Sequence, residues 1–165
     1  MGDDLCLWME QAVREAEKGS DEGEVPVGAV LVGADGTIVA KAHNQPIVLK
    51  DPTAHAEILV LRAGGEFYGN YRIPDATLVV TIEPCPMCVG AALQARISRL
   101  VFGAFDPKSG AAGPVYNLAT DERLNHRIEV IPGVMEEECR ELMQDFFRTR
   151  RMKESGSSSK ELLDV

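Results

Sequence analysis

The chain is 165 residues long, 45% hydrophobic and 26% charged, which suits one domain built on one core. It contains no stretch of eighteen or more apolar residues, and its acidic N-terminus is unlike a secretory signal, so we expect no membrane association, no export, and a cytoplasmic location. Four cysteines are too few for a disulfide-stapled scaffold, and a formal charge of −9 argues on its face against a nucleic-acid partner.

In chain order, residues 4–18 place Leu5, Trp8, Met9, Ala12, Val13 and Ala16 at three- and four-residue spacing, an amphipathic helix that Gly19 ends. Cys6 falls inside it and reads as packing rather than chemistry. Residues 27–32 and 37–42 are apolar and partly β-branched, and they are separated by Asp35-Gly36, which predicts a hairpin. The unbroken apolarity of the first strand predicts that both of its faces are covered. His43-Asn44-Gln45-Pro46 then opens a loop that runs to Pro52. A helix follows over 54–64, with Thr53 as its N-cap and Gly64-Gly65 as its stop. This places His55 and Glu57 in its first turn.

Residues 76–82 form another buried strand, and a helix starts within 84–87 and continues to Arg96, its small residues predicting close packing. Strands over 99–103 and 127–131 flank a Gly- and Pro-bearing loop, and the last helix covers 136–152 with Leu142, Met143, Phe146 and Phe147 as its stripe. Residues 1–26 carry eight acids against two bases, whereas residues 146–153 carry Arg148, Arg150, Arg151 and Lys153 with no acid, so a local basic surface stays open beside the plainer reading of a solvated helix end. Residues 154–165 read as a disordered tail after a single domain over 1–153. Strands alternating with helices predict a three-layer α/β/α domain on a five-stranded sheet.

Two short stretches carry the chemistry: His55-Ala56-Glu57 and Pro84-Cys85-Pro86-Met87-Cys88. One imidazole and two thiols supply three zinc ligands, and a catalytic zinc takes three protein ligands and keeps a position for water, whereas a structural one takes four. Cys6, Cys139, His43 and His126 are the other candidates for a fourth ligand, none at a recognisable spacing. Both stretches open helices, whose partial positive ends favour thiolate. His55 and Glu57, two apart, reach one site only if it lies over the helix end, and Glu57 is then free to move protons. A thioredoxin-like redox pair fits poorly, because Pro86 and Met87 separate the cysteines and a His-x-Glu precedes them. A metal module without catalysis is a further reading, against which the presence of Glu57 speaks.

His-x-Glu followed by Pro-Cys-x-x-Cys resembles the signature of the zinc deaminases, and the mechanism is taken from that family. The likeness is closest to the bacterial tRNA-specific adenosine deaminases. It is carried by Glu24-Val-Pro-Val-Gly-Ala-Val30, His43-Asn44-Gln45-Pro46, Asp51-Pro-Thr-Ala-His-Ala-Glu57, Glu83-Pro-Cys-Pro-Met-Cys88, Val101-Phe-Gly-Ala104, Lys108-Ser-Gly-Ala-Ala-Gly113, Asn125-His-Arg127 and Phe146-Phe-Arg-Thr-Arg-Arg151. The resemblance implies a cytidine-deaminase-like fold with a mixed sheet, and one zinc ion per subunit on His55, Cys85 and Cys88. It implies Glu57 as proton shuttle and Asn44 as a hydrogen-bond partner of the flipped-out nucleoside. Pro84 would help bind the oxygen at the metal, and Ala104, Phe105, Asp106, Lys108, Asn125, Arg148, Arg150 and Arg151 would contact the RNA. It further implies a homodimer acting on the anticodon stem-loop of an arginine tRNA, with wobble adenosine converted to inosine. Phe105 stands where relatives commonly carry a basic residue, which would exchange an ionic contact for stacking. A deaminase of free bases or nucleosides, such as guanine, cytosine or adenosine, is the alternative, since it shares the zinc site.

Overall fold

The computed structural model describes the backbone of residues 2–161 and the side chains of residues 2–156. The elements run α1 (Gly2–Asp21), β1 (Gly28–Val32), β2 (Ile38–His43), α2 (Pro46–Leu49), α3 (Ala56–Tyr68), β3 (Thr77–Ile82), α4 (Pro86–Gln94), β4 (Arg99–Ala104), β5 (Glu129–Ile131) and α5 (Glu136–Glu161). The strands form one mixed sheet in the order β2-β1-β3-β4-β5, with β1 antiparallel to both neighbours and β3, β4 and β5 parallel.

The period of two along each strand divides the core. Ala29 and Leu31 of β1, Leu78 and Val80 of β3, and Leu100 and Phe102 of β4 face one side, where Ala56 and Val60 of α3 and Val89, Ala92 and Leu93 of α4 cover them. The intervening Val30, Val32, Val79 and Val101 face the other side, under Met9 and Ala12 of α1 and Cys139 of α5. Cross-strand partners keep this division, since Leu31 pairs with Leu78 and Leu78 with Leu100. A register slip of one residue would exchange the two sets between the helix layers and misfit both, so the two apolar layers specify the pairing. The expected three-layer domain with five strands is the architecture found, and β1 is buried along its whole length.

Several local expectations are corrected by long-range packing. Gly64-Gly65 does not stop α3; the helix runs on to Tyr68 and ends at Gly69 in the left-handed conformation, φ 65°. Gly64 has another purpose, because a Cβ there would overlap the Leu31 side chain, so the glycine lets α3 rest directly on β1. Thr53 is not the N-cap. Its hydroxyl and its N–H both donate to Asp51 Oδ1, at 2.7 and 2.8 Å, and His55 takes the cap position. The loop after β2 contains the short helix α2, begun by Pro46 and supported by the buried Glu24 carboxylate, which accepts from the Val48 N–H at 2.9 Å. The last helix does not end at Met152: α5 continues to Glu161. Turn-to-turn contacts carry it on, Arg150 lying 3.8 Å from Glu154 and the Ser155 hydroxyl donating to the Arg151 carbonyl at 3.0 Å. Residues 162–165 of the expected tail lie outside the described residues.

Candidate active site

The carboxyl ends of the parallel strands β3 and β4 meet the starts of α3 and α4 at one edge of the sheet, where α/β folds place their sites. Cys85 is the N-cap of α4 and His55 the N-cap of α3. Asn44, at the end of β2, secures the second of these: its Oδ1 accepts from the Ala56 N–H at 2.8 Å, capping α3 from twelve residues away in sequence. Since that oxygen is engaged, the Asn44 amide group offers the site its Nδ2 hydrogens.

His55 Nδ1 lies 3.7 Å from Cys85 Sγ and 3.4 Å from Cys88 Sγ, and the three donor atoms all fall within 4.8 Å of one another. Zinc bound tetrahedrally, at about 2.0–2.1 Å from nitrogen and about 2.3 Å from sulfur, separates such ligands by about 3.6 Å. The donor set therefore fits a tetrahedral thiophilic ion with one position left over. The electrostatics agree. The Cys88 thiol donating toward Cys85 holds the Cys85 thiol down, to about 4, and the same contact pushes Cys88 up. Cys85 thus yields the first thiolate, and its hydrogen bond to His55 raises the imidazole.

Glu57 stands beside this cluster at the second residue of α3. Burial pushes its carboxyl up to about 7, against the opposing main-chain hydrogen bond, and the group lies against the Cys88 thiol. Glu57 Oε2 is a buried polar atom with no hydrogen-bond partner among the described residues. An unpartnered carboxylate oxygen costs stability, so its retention points to a partner that arrives with the substrate. The other ligand candidates are placed elsewhere. His43 is held between Glu15 and Glu22, His126 Nε2 lies on the Ile97 carbonyl, Cys139 packs under the sheet, and Cys6 is exposed on α1.

A groove of about 780 Å³ opens between the loop after β4 and α5. Ala104, Phe105, Asp106, Lys108, Arg148 and Arg151 line it, which gathers six of the expected contact residues on one surface. Phe105 is 40% exposed and is fixed edge-on against the buried Phe102, with ring centroids 5.1 Å apart. Two expected residues are not brought to it. Arg150 points to the opposite side of α5, into a smaller groove with Ser20, Gly23 and Lys153, because it is two residues from Arg148 on a helix. Asn125 adjoins His126 at the start of β4, whereas the His55, Cys85 and Cys88 donor cluster lies at the opposite, carboxyl end of the strands. Pro84 sits beside the cluster, its carbonyl accepting from the Ala111 N–H at 2.8 Å. Sequence reasoning missed Arg140, Met143 and Phe147, which complete the groove, and Glu83, which is 1% exposed and accepts from the N–H groups of Asp106 and Ala112 at 3.1 Å each. The helical spacing of Arg140, Met143 and Phe147 was a usable signal. Glu83 offered only its place before Pro84.

Residues 4–151 match the family described as MafB19-like deaminase. The tRNA-specific adenosine deaminase of Bacillus subtilis is 48% identical over 151 residues, 92% of this chain and 93% of that protein. The chain belongs to the tRNA-specific adenosine deaminase family. A solved structure from work on A-to-I editing by tRNA deaminases at the wobble position of transfer RNA superposes with a TM-score of 0.77 at 44% identity, covering 82% of this chain and 97% of the other. The guanine deaminase of Bacillus subtilis gives a TM-score of 0.57 at 38% identity, covering 60% of this chain and 63% of that one. The fold accounts for the site's position: α4 begins directly after β3, and α3 begins after the loop and short helix that follow β2.

Proposed function

We propose that this chain is a zinc-dependent tRNA deaminase that hydrolyses adenosine to inosine at the wobble position of an anticodon loop, an arginine tRNA being the expected substrate. The observation that carries the reading is Glu57 Oε2, a sealed and unpartnered carboxylate oxygen beside one imidazole and two sulfurs at tetrahedral spacing. His55, Cys85 and Cys88 would hold the ion, which supplies Lewis acidity and a bound water of lowered pKa. Glu57 takes a proton at Oε2 as water adds to C6 of the purine and passes it to the ring nitrogen; it then takes the proton of the new C6 hydroxyl and hands it to the exocyclic amine, so that the C–N bond breaks, the C6 carbonyl forms and ammonia leaves. Its raised pKa, near neutrality, suits a group that must both accept and return a proton. Asn44 Nδ2 donates to the nucleoside while Oδ1 stays on the Ala56 N–H.

Support for an RNA substrate comes from the groove, where Lys108, Arg148 and Arg151 alternate with Phe105 and Phe147, the combination of cations and rings that single-stranded RNA favours. The overall acidity does not oppose this, since the acids are concentrated at the N-terminus and the first turn of α5. Among the described residues no helix is long and apolar enough to cross a membrane, and a tRNA-acting enzyme is expected in the cytoplasm. A homodimer fits the exposed face of α3 and α4, where Leu61, Tyr71, Met87 and Ala91 line a shallow apolar groove.

Purified Glu57→Ala, checked for retained zinc by metal analysis, is incubated with total tRNA, and wobble inosine is read by sequencing. We expect activity to fall about a hundredfold or more with zinc unchanged; near wild-type inosine would remove Glu57 from the proton role. The likeness to a guanine deaminase supports a second reading, in which the substrate is a free base. Faster turnover of guanine or free adenosine than of tRNA by the wild-type protein would favour it.

A further inference from the structure

Glu83 is a buried acid that the reaction does not use. We propose that it is a positioning residue, which sets the substrate-facing loop, residues 105–113, at a defined place relative to the metal-bearing start of α4. The inference rests on the groove being the RNA site.

The loop leaves β4 at Ala104; Phe105 packs on Phe102 near its start and Ala111 and Ala112 enter the core near its end, while the stretch between them belongs to no helix or strand. Glu83 Oε1 accepts from the Asp106 N–H at 3.1 Å, and Glu83 Oε2 accepts from the Ala112 N–H at 3.1 Å. The next residue adds a third tie, from the Ala111 N–H to the Pro84 carbonyl at 2.8 Å. One carboxylate thus spans the loop near both ends, with the groove-lining residues Pro107, Lys108 and Ser109 between its anchor points. Residues 83, 84 and 85 are consecutive: two bond the loop and the third is a metal donor. Any displacement of the loop is therefore measured directly against the ion's position.

The loop is shaped around this carboxylate. A Cβ on Gly110 would overlap the Glu83 carboxylate, and one on Gly113 would come within 3.0 Å of Oε2 and 3.2 Å of the Phe105 ring. Both glycines leave room for the acid to enter. Inside the ties, the Asp106 carboxylate accepts from the N–H groups of Lys108 and Ser109 and from the Ser109 hydroxyl, which stiffens the turn that presents Lys108. Glu83 has no positively charged partner among its described contacts, and the two main-chain N–H groups it receives are what keep a buried carboxylate tolerable. Its removal leaves the two N–H groups, one of them buried, without their acceptor, which loosens the loop at both anchor points.

The test compares wild type, Glu83→Gln, Gly110→Ala and the double variant by steady-state deamination of an anticodon stem-loop RNA, zinc content, and amide hydrogen exchange in the free protein. Glu83→Gln keeps the size but turns an amide NH2 toward one of the N–H groups. We expect KM for the RNA to rise about tenfold or more, with a smaller change in kcat and zinc retained, and exchange at Asp106 and Ala112 to quicken about tenfold. Gly110→Ala crowds the Glu83 carboxylate from the loop side, with residues 83–85 unchanged, and gives the same split, and the double variant is no worse than the worse single one, since both act on one contact. An unchanged KM in Gly110→Ala overturns the proposal, as does a joint loss of zinc and kcat in Glu83→Gln at unchanged KM. Exchange needs no substrate, so unaltered protection of the two amides overturns the anchoring even if the RNA itself proves not to be deaminated.

Discussion

Asn44 caps α3 with one atom and, under the proposed function, would serve the substrate with another. Its Oδ1 completes the start of α3 and so holds His55, which leaves Nδ2 for the nucleoside in that proposal. Asn44→Asp keeps the acceptor and loses the donor, whereas Asn44→Ala loses both. We expect Asn44→Asp to unfold within a few degrees of wild type yet lose most activity, and Asn44→Ala to lose activity and about 1 kcal/mol of stability as well. Thermal melts alongside inosine assays separate the two; equal stability losses would show that the cap is not made by Oδ1. The donor types were legible in the sequence because metal chemistry restricts ligands to few residues at short spacing, and His55, Cys85 and Cys88 do converge within 4.8 Å. The capping by Asn44 was not legible, since its partner is an N–H, which every residue but proline carries.

At the level of elements, α3 illustrates the ambiguity of glycine. Paired glycines in a helical pattern suggest a stop, and here they are interior. Gly64 is required by contact with Leu31, whereas a Cβ on Gly65 would meet only the Asn70 carbonyl at an ordinary 3.5 Å. Gly64→Ala should therefore cost about 1–3 kcal/mol through overpacking, and Gly65→Ala should gain up to about 1 kcal/mol through helix propensity. Chemical denaturation of the two variants measures both, and an equal response would refute the close-approach role of Gly64. The same limit applies to α5. Its stripe was readable, but which arginines share a groove depends on the helix's rotation against β4 and the loop, and that rotation separates Arg150 from Arg148 and Arg151.

For the whole molecule, the apolar groove across α3 and α4, of about 830 Å³, lies on the face away from α1 and α5. If it is the surface of a homodimer, Ala91→Arg, which adds bulk and charge without entering the core, should shift the sedimentation mass from dimer to monomer and leave the monomer folded. A monomeric wild-type mass at about 10 μM would sink the dimer.

The layered sheet, its five strands and the two motif-bearing helix starts were set by the sequence alone. Hydrophobic period and ligand chemistry are local, and both act over a few residues. The tertiary structure decided what lies between distant segments: Glu83 under a loop 23 to 29 residues away, Glu24 beneath α2, Gly64 on Leu31, and the groove that unites Lys108 with Arg148 and Arg151. Each of these depends on a main-chain group, a close approach between distant elements or a surface gap, and none leaves a residue-type signature that names its partner.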